Sequence, residues 1–215
     1  MKDLKFIAGQ LRKPSGDFAP QIAEKMGVGN KPLYDLTLES ITFKDEDSIL
    51  EIGFGSGTHF RELLSKANNL NLTGIDYSPE MTELATLNNK RYVESGQIEL
   101  YTGNSNQLPF DDNSFNTLFC NMVIYFWENP EEHLNEIQRV LKPEGTFYTG
   151  MRTRRSMLDL PFTKYGFNLY TVTMWKEILI SNGFKIAKVE RKKDPAFDEF
   201  DKKVELESVC IAAKI

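Results

Sequence analysis

Three closely spaced glycines are the first residues whose type and spacing indicate binding chemistry. Gly53, Gly55 and Gly57 follow directly on an apolar run in the segment ILEIGFGSGTH, residues 49–59. A glycine loop between a strand and a helix lets the backbone approach a ligand closely, because no Cβ intervenes and positive φ is accessible. A dinucleotide site requires the spacing G-x-G-x-x-G, whereas this segment reads G-x-G-x-G and is followed by Thr58. The segment therefore predicts either a purely structural tight turn or a binding loop that lacks the pyrophosphate spacing.

Two carboxylates near this loop restrict the ligand that it could bind. Glu51 lies inside the apolar run, where a charge without a partner is costly to bury. It would repel a pyrophosphate and attract an amine. Asp76 ends the next apolar run, NLTGID, where a carboxylate can accept hydrogen bonds from both hydroxyls of a ribose. A nucleoside that carries an amino acid at its other end satisfies both carboxylates, and S-adenosylmethionine is such a ligand.

The elements that must position these residues alternate along the chain. From residue 48 onward, short apolar runs typical of strands alternate with segments of helical period, which predicts an α/β fold with a mostly parallel sheet. Helical segments follow the first, second and fourth strands, and the second of these helices has Ser78 as its N-cap and Pro79 at its first position. The first five predicted strands are residues 48–52, 71–76, 97–101, 115–120 and 146–150.

The two ends of the chain are less regular than its middle. Residues 151–170 have no clean period and predict a functional loop or a cover over a site. A helix over residues 171–183 precedes two final strands, and we expect the last strand to be antiparallel to its neighbour. Residues 1–45 predict a small helical cap made of two helices separated by the sequence GVGN, and residues 46–215 the main domain.

Four segments, in order, resemble the successive motifs of a known family. They are ILEIGFGSGTH, LTGIDYSPEM, GNSNQLPFDDNSFNTLFC and EIQRVLKPEGTFY, and they cover roughly residues 47–150. The chain thereby resembles the class I S-adenosylmethionine-dependent methyltransferases, and in particular their ubiquinone/menaquinone-biosynthesis-like small-molecule branch. The resemblance implies a Rossmann-like, mostly parallel seven-stranded sheet with an antiparallel last strand and helices on both faces. It also implies S-adenosylmethionine as cofactor and in-line methyl transfer to a small organic acceptor.

The resemblance also implies which residues hold the cofactor. Asp76 would bind the ribose, and Asn104 with Ser105 stand where the family commonly has Asp followed by a small residue. An Asn carbonyl can accept the same hydrogen bond from the adenine amino group without the charge. The implied cofactor residues are Glu51, Gly53, Phe54, Gly55, Gly57, Asp76, Tyr77, Met81, Asn104, Ser105 and Asn121.

The acceptor should meet residues beyond the carboxyl ends of the strands, under the N-terminal cap. Methyl transfer depends on alignment and on a dry site, and the sequence offers no obligatory catalytic base. His59 stands at the start of a helix, and we expect it to have a structural role or a role in the cofactor loop. His133 lies beside acidic residues on a helix, and we expect it to be exposed to solvent. No metal site is predicted. The candidate acceptor residues are Phe18, Met26, Tyr34, Tyr125, Arg152, Phe162, Tyr165 and Tyr170, with Arg152 proposed to hold an acidic group.

Composition restricts the partners. The 26 basic and 31 acidic residues give a net charge of -5, which argues against a nucleic-acid substrate. Neither a signal peptide nor a membrane span is evident, and the two cysteines lie in apolar runs, so we expect a cytoplasmic monomer or homodimer. Two alternatives remain: a non-catalytic S-adenosylmethionine-binding domain used for sensing or assembly, and a nicotinamide-dependent dehydrogenase, which the glycine spacing and Glu51 disfavour.

Overall fold

A central seven-stranded sheet organises the computed structural model, which describes residues 3–199 and 202–215. Its strand order is β3-β2-β1-β4-β5-β9-β6; β1 to β5 pair in parallel, and β9 is antiparallel to both β5 and β6. The sequence-based prediction of the fold is confirmed. The strands are Ser48–Ile52 (β1), Asn71–Asp76 (β2), Ile98–Thr102 (β3), Phe115–Asn121 (β4), Leu141–Arg152 (β5), Lys185–Lys193 (β6), Phe197–Glu199 (β7), Lys202–Val204 (β8) and Glu207–Lys214 (β9).

The helices cover both faces of this sheet. Alternate residues of β1 point to opposite sides, so that Ile49 packs with residues of α2 and α3, and Leu50 packs with residues of α6 and α8. Short 3₁₀ turns occupy Gly16–Phe18, Ile124–Phe126 and Pro161–Lys164. The α-helices are Leu4–Arg12 (α1), Ala19–Ser40 (α2), Phe60–Leu64 (α3), Pro79–Asn88 (α4), Lys90–Glu94 (α5), Pro130–Val140 (α6), Arg154–Met157 (α7) and Val172–Ser181 (α8).

The connection between β6 and β9 contains two further short strands. The strands β7 and β8 form a separate antiparallel pair, with Phe197 opposite Val204. Strand β9 then inserts between β5 and β6, and it is antiparallel to its neighbours as the resemblance implied. This insertion matters for the site because Phe197 and Leu206 reach the cavity described below.

The N-terminal segment contains two helices, α1 and α2, but they are not separated at the GVGN sequence as predicted. The GVGN sequence does not break the chain, and α2 runs without interruption through Gly29, Asn30 and Pro32. Two tertiary interactions offset the weak local propensity: the helix packs along β5 and β9, and the guanidinium of Arg152 donates to the Gly29 carbonyl at 2.6 Å. Asn30 also accepts from Arg152, at 3.1 Å. Tertiary packing therefore overrides the glycines and the proline.

The structure also shows the environment of the two cysteines and the length and polarity of the helices. Cys120 and Cys210 are both buried and unpaired, and burial raises the pKa of each thiol. Within the described ranges, the helices are all too short or too polar to cross a membrane.

Candidate functional site

The glycine loop leaves β1 at the point where the strand order reverses, between β1 and β4. Gly53, Gly55 and Gly57 all have positive φ, at 75°, 58° and 61°. A Cβ on Gly53 would lie 2.3 Å from the Val123 side chain, and one on Gly57 would lie 2.6 Å from the ring of Phe60. A Cβ on Gly55 would meet nothing within 4 Å. The outer two glycines are thus required by packing, whereas Gly55 leaves an open space beside the backbone.

Asp76, the last residue of β2, is hydrogen-bonded to this loop. One oxygen of its carboxylate accepts from the Gly55 amide and the other from the Ser78 amide, both at 2.9 Å. Burial raises the pKa of Asp76 to about 6, against the lowering effect of these two bonds. A carboxylate has about four acceptor positions, so two remain for a ligand.

Glu51 forms the centre of a second polar cluster. Its carboxylate lies 3.0 and 3.1 Å from Nε2 of His59, and the hydroxyl of Tyr34 donates to it at 3.4 Å. The rings of Tyr34 and His59 are in contact, with centroids 3.7 Å apart and planes tilted by 37°. Burial and the charge of Glu51 raise the pKa of Tyr34, which therefore stays a hydrogen-bond donor. The buried carboxylate thus has the partners that its position in the sequence requires.

The end of β4 contributes an amide with unused capacity. Asn121 Oδ1 accepts from the Thr37 hydroxyl at 2.7 Å, while its buried Nδ2 bonds to none of the described residues. Gly150 on β5 makes room for this side chain, because a Cβ there would lie 1.7 Å from Asn121 Oδ1. Met122, the next residue, has a φ of 62°, a strained conformation typical of functional sites.

The segments after β2 and β3 form the neighbouring wall. Tyr77 is about half exposed, and Met81 is buried. Asn104 is exposed, but the hydroxyl of Ser105 is buried and lies 2.7 Å from Nδ1 of His133. Ser105 is therefore engaged within the protein.

The expectation that His133 is exposed is wrong. Its ring stacks on Trp127 at 4.6 Å and 7°, and only 6% of the residue is accessible. Burial lowers the pKa of His133 to about 4, so the ring is neutral at physiological pH. The acidic residues around it in the sequence pointed to solvent, but the long-range contact with Trp127 determines its environment.

One cavity of about 1100 Å³ connects these clusters. Tyr34 and His59 line it at the Glu51 cluster, and Gly57 supports the loop from outside it. Helices α1 and α2 cover its other side. The cofactor residues implied by the resemblance that line it are Glu51, Gly53, Phe54, Gly55, Asp76, Tyr77, Met81, Asn104, Ser105 and Asn121.

The candidate acceptor residues divide into two groups. Phe18, Met26 and Phe162 line the cavity, and so does Tyr34 at its polar end. Arg152 also reaches it, but the expectation that Arg152 holds an acidic ligand group is wrong. Its guanidinium is buried and bonds to Asp194 at 2.8 and 3.0 Å.

Three tyrosines that the sequence suggested for the acceptor site do not line the cavity. Tyr125 is fully buried; its hydroxyl donates to the Arg152 carbonyl at 2.7 Å and accepts from the Arg152 amide at 2.6 Å. Tyr170 is buried with its ring 5.2 Å from Trp175, and Tyr165 is 44% exposed outside the cavity. Tyr125 and Tyr170 are therefore part of the protein interior.

Helix α1 and the turn after β4 supply wall residues that the sequence analysis missed. Phe6, Ile7 and Leu11 of α1 line the cavity, and their spacing along a helix, with Asp3 as its N-cap, could have revealed them. Phe126 and Trp127 line it in place of Tyr125. No local pattern distinguishes these neighbours, because the 3₁₀ turn decides which ring faces inward.

The residues present fit a nucleoside that bears an amino acid. The open space at Gly55, the free acceptor positions of Asp76 and the unpartnered Asn121 Nδ2 are features that a ligand with ribose and amino-acid groups would complete. Glu51 places a buried negative charge at the same wall. A pyrophosphate would meet two carboxylates here and is disfavoured.

Comparisons with known proteins agree with this assignment. The family model described as "Methyltransferase domain" matches residues 50–149. YrhH of Bacillus subtilis (strain 168), which is named as a methyltransferase, is 32% identical over 123 residues, covering 57% of this chain and 67% of YrhH. The demethylmenaquinone methyltransferase of Chlorobaculum tepidum is 33% identical over 103 residues, covering 48% of this chain and 40% of the relative.

Solved structures share the fold. A chain of the complex between the Haloferax volcanii Trm112 methyltransferase activator and a methyltransferase has a TM-score of 0.76 at 19% identity, and 98% of each chain is covered. An S-adenosylmethionine-dependent methyltransferase from Aquifex aeolicus has a TM-score of 0.67 at 18% identity, covering 91% of this chain and 98% of that one. At these identities the likeness concerns the fold alone.

Proposed function

The chain belongs to the class I S-adenosylmethionine-dependent methyltransferases, and on that premise we propose that it methylates a small organic acceptor with a largely apolar body. The observation that carries the proposal is the size and the wall of the cavity. Its volume of about 1100 Å³ lies at the upper end of the roughly 300–1000 Å³ range of small-molecule pockets, which supports a site with room for a small acceptor beside the cofactor. Beyond the polar clusters, the wall consists mainly of apolar side chains, including Phe18, Met26 and Phe162.

The polar residues of the cavity would hold the cofactor. Asp76 would accept hydrogen bonds from the ribose, Gly53 and Gly55 would bring the backbone against the methionine part, and Tyr77 with Met81 would pack on the adenine. When bound, S-adenosylmethionine supplies an electrophilic methyl group on its sulfonium. Asn104 would accept a hydrogen bond from the adenine amino group; Ser105 would take part through its backbone, since its hydroxyl already bonds to His133.

Catalysis in this site would consist of alignment and exclusion of water. Helices α1 and α2 cover the cavity, and the strained Met122 and the aromatic pair Phe126 and Trp127 would position the acceptor at the end of β4. Alignment of two reactants can supply about 7–11 kcal/mol of a barrier. An aromatic wall also attracts a sulfonium, by roughly 0.5–2 kcal/mol.

The charges of the wall restrict the acceptor further. Arg152 is neutralised by Asp194, and Arg12 pairs with Glu128 at 3.0 Å. These two cations would therefore offer a carboxylate or phosphate on the acceptor little compensation, which favours a neutral acceptor. Lys25 also lines the cavity and forms no ion pair with the described residues, so it is the cation of the described wall that an acidic acceptor could still meet. The relative from Chlorobaculum tepidum is named for demethylmenaquinone, a small organic acceptor, which supports this class.

A turnover assay tests the proposal. The protein is incubated with S-adenosylmethionine labelled in its methyl group and with panels of neutral phenols, thiols and amines, each paired with a carboxylated analogue. Transfer to neutral acceptors, with carboxylated analogues at least about 10-fold poorer, is the expected result. Labelling of RNA or protein alone would refute a small acceptor, and labelling of nothing would favour the non-catalytic alternative.

A pair of variants on one helix links turnover to the cavity. Met26 lines the apolar wall, whereas Val28, two residues later in α2, is 75% exposed and does not line it. Met26→Trp should lower kcat/KM for the acceptor by about 5- to 150-fold, because overpacking costs about 1–3 kcal/mol, and should leave S-adenosylhomocysteine binding unchanged. Val28→Trp should change neither quantity. Equal effects of the two variants would show that the acceptor binds elsewhere.

A further inference from the structure

We infer that the mouth of the cavity is a docking surface for a lipid bilayer with anionic headgroups, to which the protein binds peripherally. This surface, called the rim below, consists of residues 3–18 and residues 153–167. Docking of this kind does not depend on which molecule is methylated. Together with the proposed function, it would let an apolar acceptor pass from the bilayer into the cavity.

The apolar part of the rim is exposed at the entrance of the cavity. Phe6 of α1 and Phe18 line the cavity, yet they are 44% and 53% exposed, which places them at its mouth. Their rings meet edge to face, with centroids 5.3 Å apart. Helix α1 packs against the 3₁₀ turn Pro161–Lys164, and two more exposed apolar side chains, Leu158 and Tyr165, flank that turn. Single exposed apolar residues are ordinary, but four beside one apolar cavity are typical of an interaction surface.

The charge of the rim is opposite to that of the whole chain. The rim contains six basic and three acidic side chains, whereas the chain contains 26 and 31. Arg12 pairs with Glu128, and Lys13 lies 4.5 Å from the centre of the Tyr77 ring. The other four basic residues are exposed and form no ion pair with the described residues; they are Lys5, Arg154, Arg155 and Lys164. Free cations beside exposed apolar side chains fit the negative surface of a bilayer.

The side chains of the rim favour a bilayer over a nucleic acid. A single-stranded nucleic acid would use the cations and the aromatic rings, but an aliphatic side chain such as Leu158 offers no face on which a base can stack. A bilayer uses all three kinds of side chain, because apolar groups enter the acyl boundary while cations meet the headgroups. The helices within the described ranges are too short or too polar to cross a membrane, so the contact would be confined to the surface of the bilayer.

Flotation with vesicles tests the docking without any turnover. The protein is mixed with vesicles of phosphatidylcholine alone, or of phosphatidylcholine and phosphatidylglycerol in equal parts, and the bound fraction is measured after centrifugation in a density gradient. Binding to the mixed vesicles should be at least about 10-fold stronger, because each cation near an anionic surface contributes about 5-fold. An increase in ionic strength from about 0.1 M to about 1 M should weaken it, because the Debye length falls from about 10 Å to about 3 Å.

Two pairs of charge variants locate the contact. Lys5→Ala combined with Lys164→Ala removes two free cations of the rim and should weaken binding to the mixed vesicles about 25-fold. The matched control combines Lys185→Ala with Lys214→Ala. These two lysines are exposed and lie opposite each other in β6 and β9, at the edge of the sheet away from the cavity. The control changes the net charge by the same amount and should bind like the wild-type protein.

A pair of leucine variants tests the apolar contribution. Leu158 is 57% exposed in the rim, and Leu87 is 66% exposed in α4, outside the rim; neither lines the cavity. Leu158→Ser should weaken binding to the mixed vesicles about 5- to 10-fold, because a leucine side chain no longer leaves water on docking. Leu87→Ser should leave binding unchanged. Both substitutions are at exposed positions, so the ligand-free Tm of each variant should stay close to that of the wild-type protein.

The outcomes separate docking from the proposed function. Absence of wild-type protein from the floated mixed vesicles overturns the docking, and so does retention of the protein by single-stranded RNA without flotation. Equal effects of the rim variant and its control, in either the charge pair or the leucine pair, also overturn it. Failure to methylate any small acceptor would refute the proposed function and leave the flotation results unaffected.

Discussion

Replacing Asp76 with asparagine removes one buried charge from the centre of the proposed cofactor site. The carboxylate already accepts from the Gly55 and Ser78 amides at 2.9 Å each, and two acceptor positions remain for the ribose hydroxyls. In Asp76→Asn, only one side-chain oxygen remains, it is neutral, and it must accept from both the ligand and one backbone amide. The new side-chain NH₂ group is itself a donor and would face the N–H of the other backbone amide. We therefore expect S-adenosylhomocysteine to lose most of its affinity.

The size of the effect follows from the bonds that are lost. Hydrogen bonds to a charged group contribute about 1.5–3 kcal/mol each, so loss of the charge should cost about 2.7 kcal/mol, or about 100-fold in Kd. At a concentration of 100 times the wild-type Kd, the ligand stabilises the wild-type protein by about 2.7 kcal/mol. At the same concentration it would stabilise Asp76→Asn by only about 0.4 kcal/mol. For a protein of this size, a shift in Tm of about 5–11 °C would fall to about 1–2 °C.

A thermal-shift titration measures this difference directly. Asp45→Asn is the matched control, because Asp45 also accepts from a backbone amide, that of Asn68 at 2.9 Å, but does not line the cavity. Each variant is compared with its own ligand-free Tm, which separates ligand binding from any loss of a turn. Asp45→Asn should keep the full shift. A full shift in Asp76→Asn would refute the assignment of the ribose to this carboxylate.

The raised pKa of Asp76 gives the same prediction a pH dependence. Only the ionised carboxylate can accept from both hydroxyls, so affinity for S-adenosylhomocysteine should fall as the pH falls through about 6. A single proton that blocks binding makes the Kd about 10-fold higher at pH 5 than at pH 8. In Asp76→Asn this contribution should disappear. An unchanged pH profile in the variant would assign the titration to another group.

The other predictions concern the loop and the buried partners of the site. Gly53→Ala should lower the free energy of unfolding by about 3 kcal/mol through overpacking and a left-handed backbone, whereas Gly55→Ala should cost only about 1 kcal/mol. Gly55→Ala should instead weaken S-adenosylhomocysteine binding about 10-fold, since its Cβ enters the open space. Folding lowers the pKa of His133 to about 4, so protonation of this ring favours the unfolded chain. The free energy of unfolding, measured by urea titration, should therefore fall as the pH falls from about 6.5 to 4. The measurement uses the Asp76→Asn background, because Asp76 titrates in the same pH range. Arg152→Met should cost about 3–5 kcal/mol by leaving Asp194 buried and unpaired, and adding Asp194→Asn should recover part of that cost.

These variants have internal controls. Equal losses of stability in the two glycine variants would contradict the different packing found at the two positions. A stability that does not change with pH would show that His133 is solvated in solution. If the double variant at the buried ion pair were no more stable than the single one, the cost would come from packing rather than from the unpaired charge.

The sequence alone determined which residues form the candidate cofactor site. The glycines at 53, 55 and 57, the carboxylate of Glu51 and the carboxylate of Asp76 were predicted to serve one ligand. The structure brings all of them except Gly57 to one cavity, and Gly57 supports the loop from outside it. The physical reason is local. Glu51 and Asp76 lie at the ends of the neighbouring parallel strands β1 and β2, and the glycines follow β1 directly. Parallel strands deliver their carboxyl ends to the same edge of a sheet.

The tertiary structure decided the partners of the long side chains. Arg152 looked free to bind an acidic ligand, but the fold places Asp194, the residue directly after β6 and 42 positions along the chain, against it. His133 is neutral and buried because the ring of Trp127 covers it, and α2 is continuous because β5, β9 and Arg152 support its glycines. Such contacts join residues far apart in sequence, and the period or composition of a short segment carries no information about them.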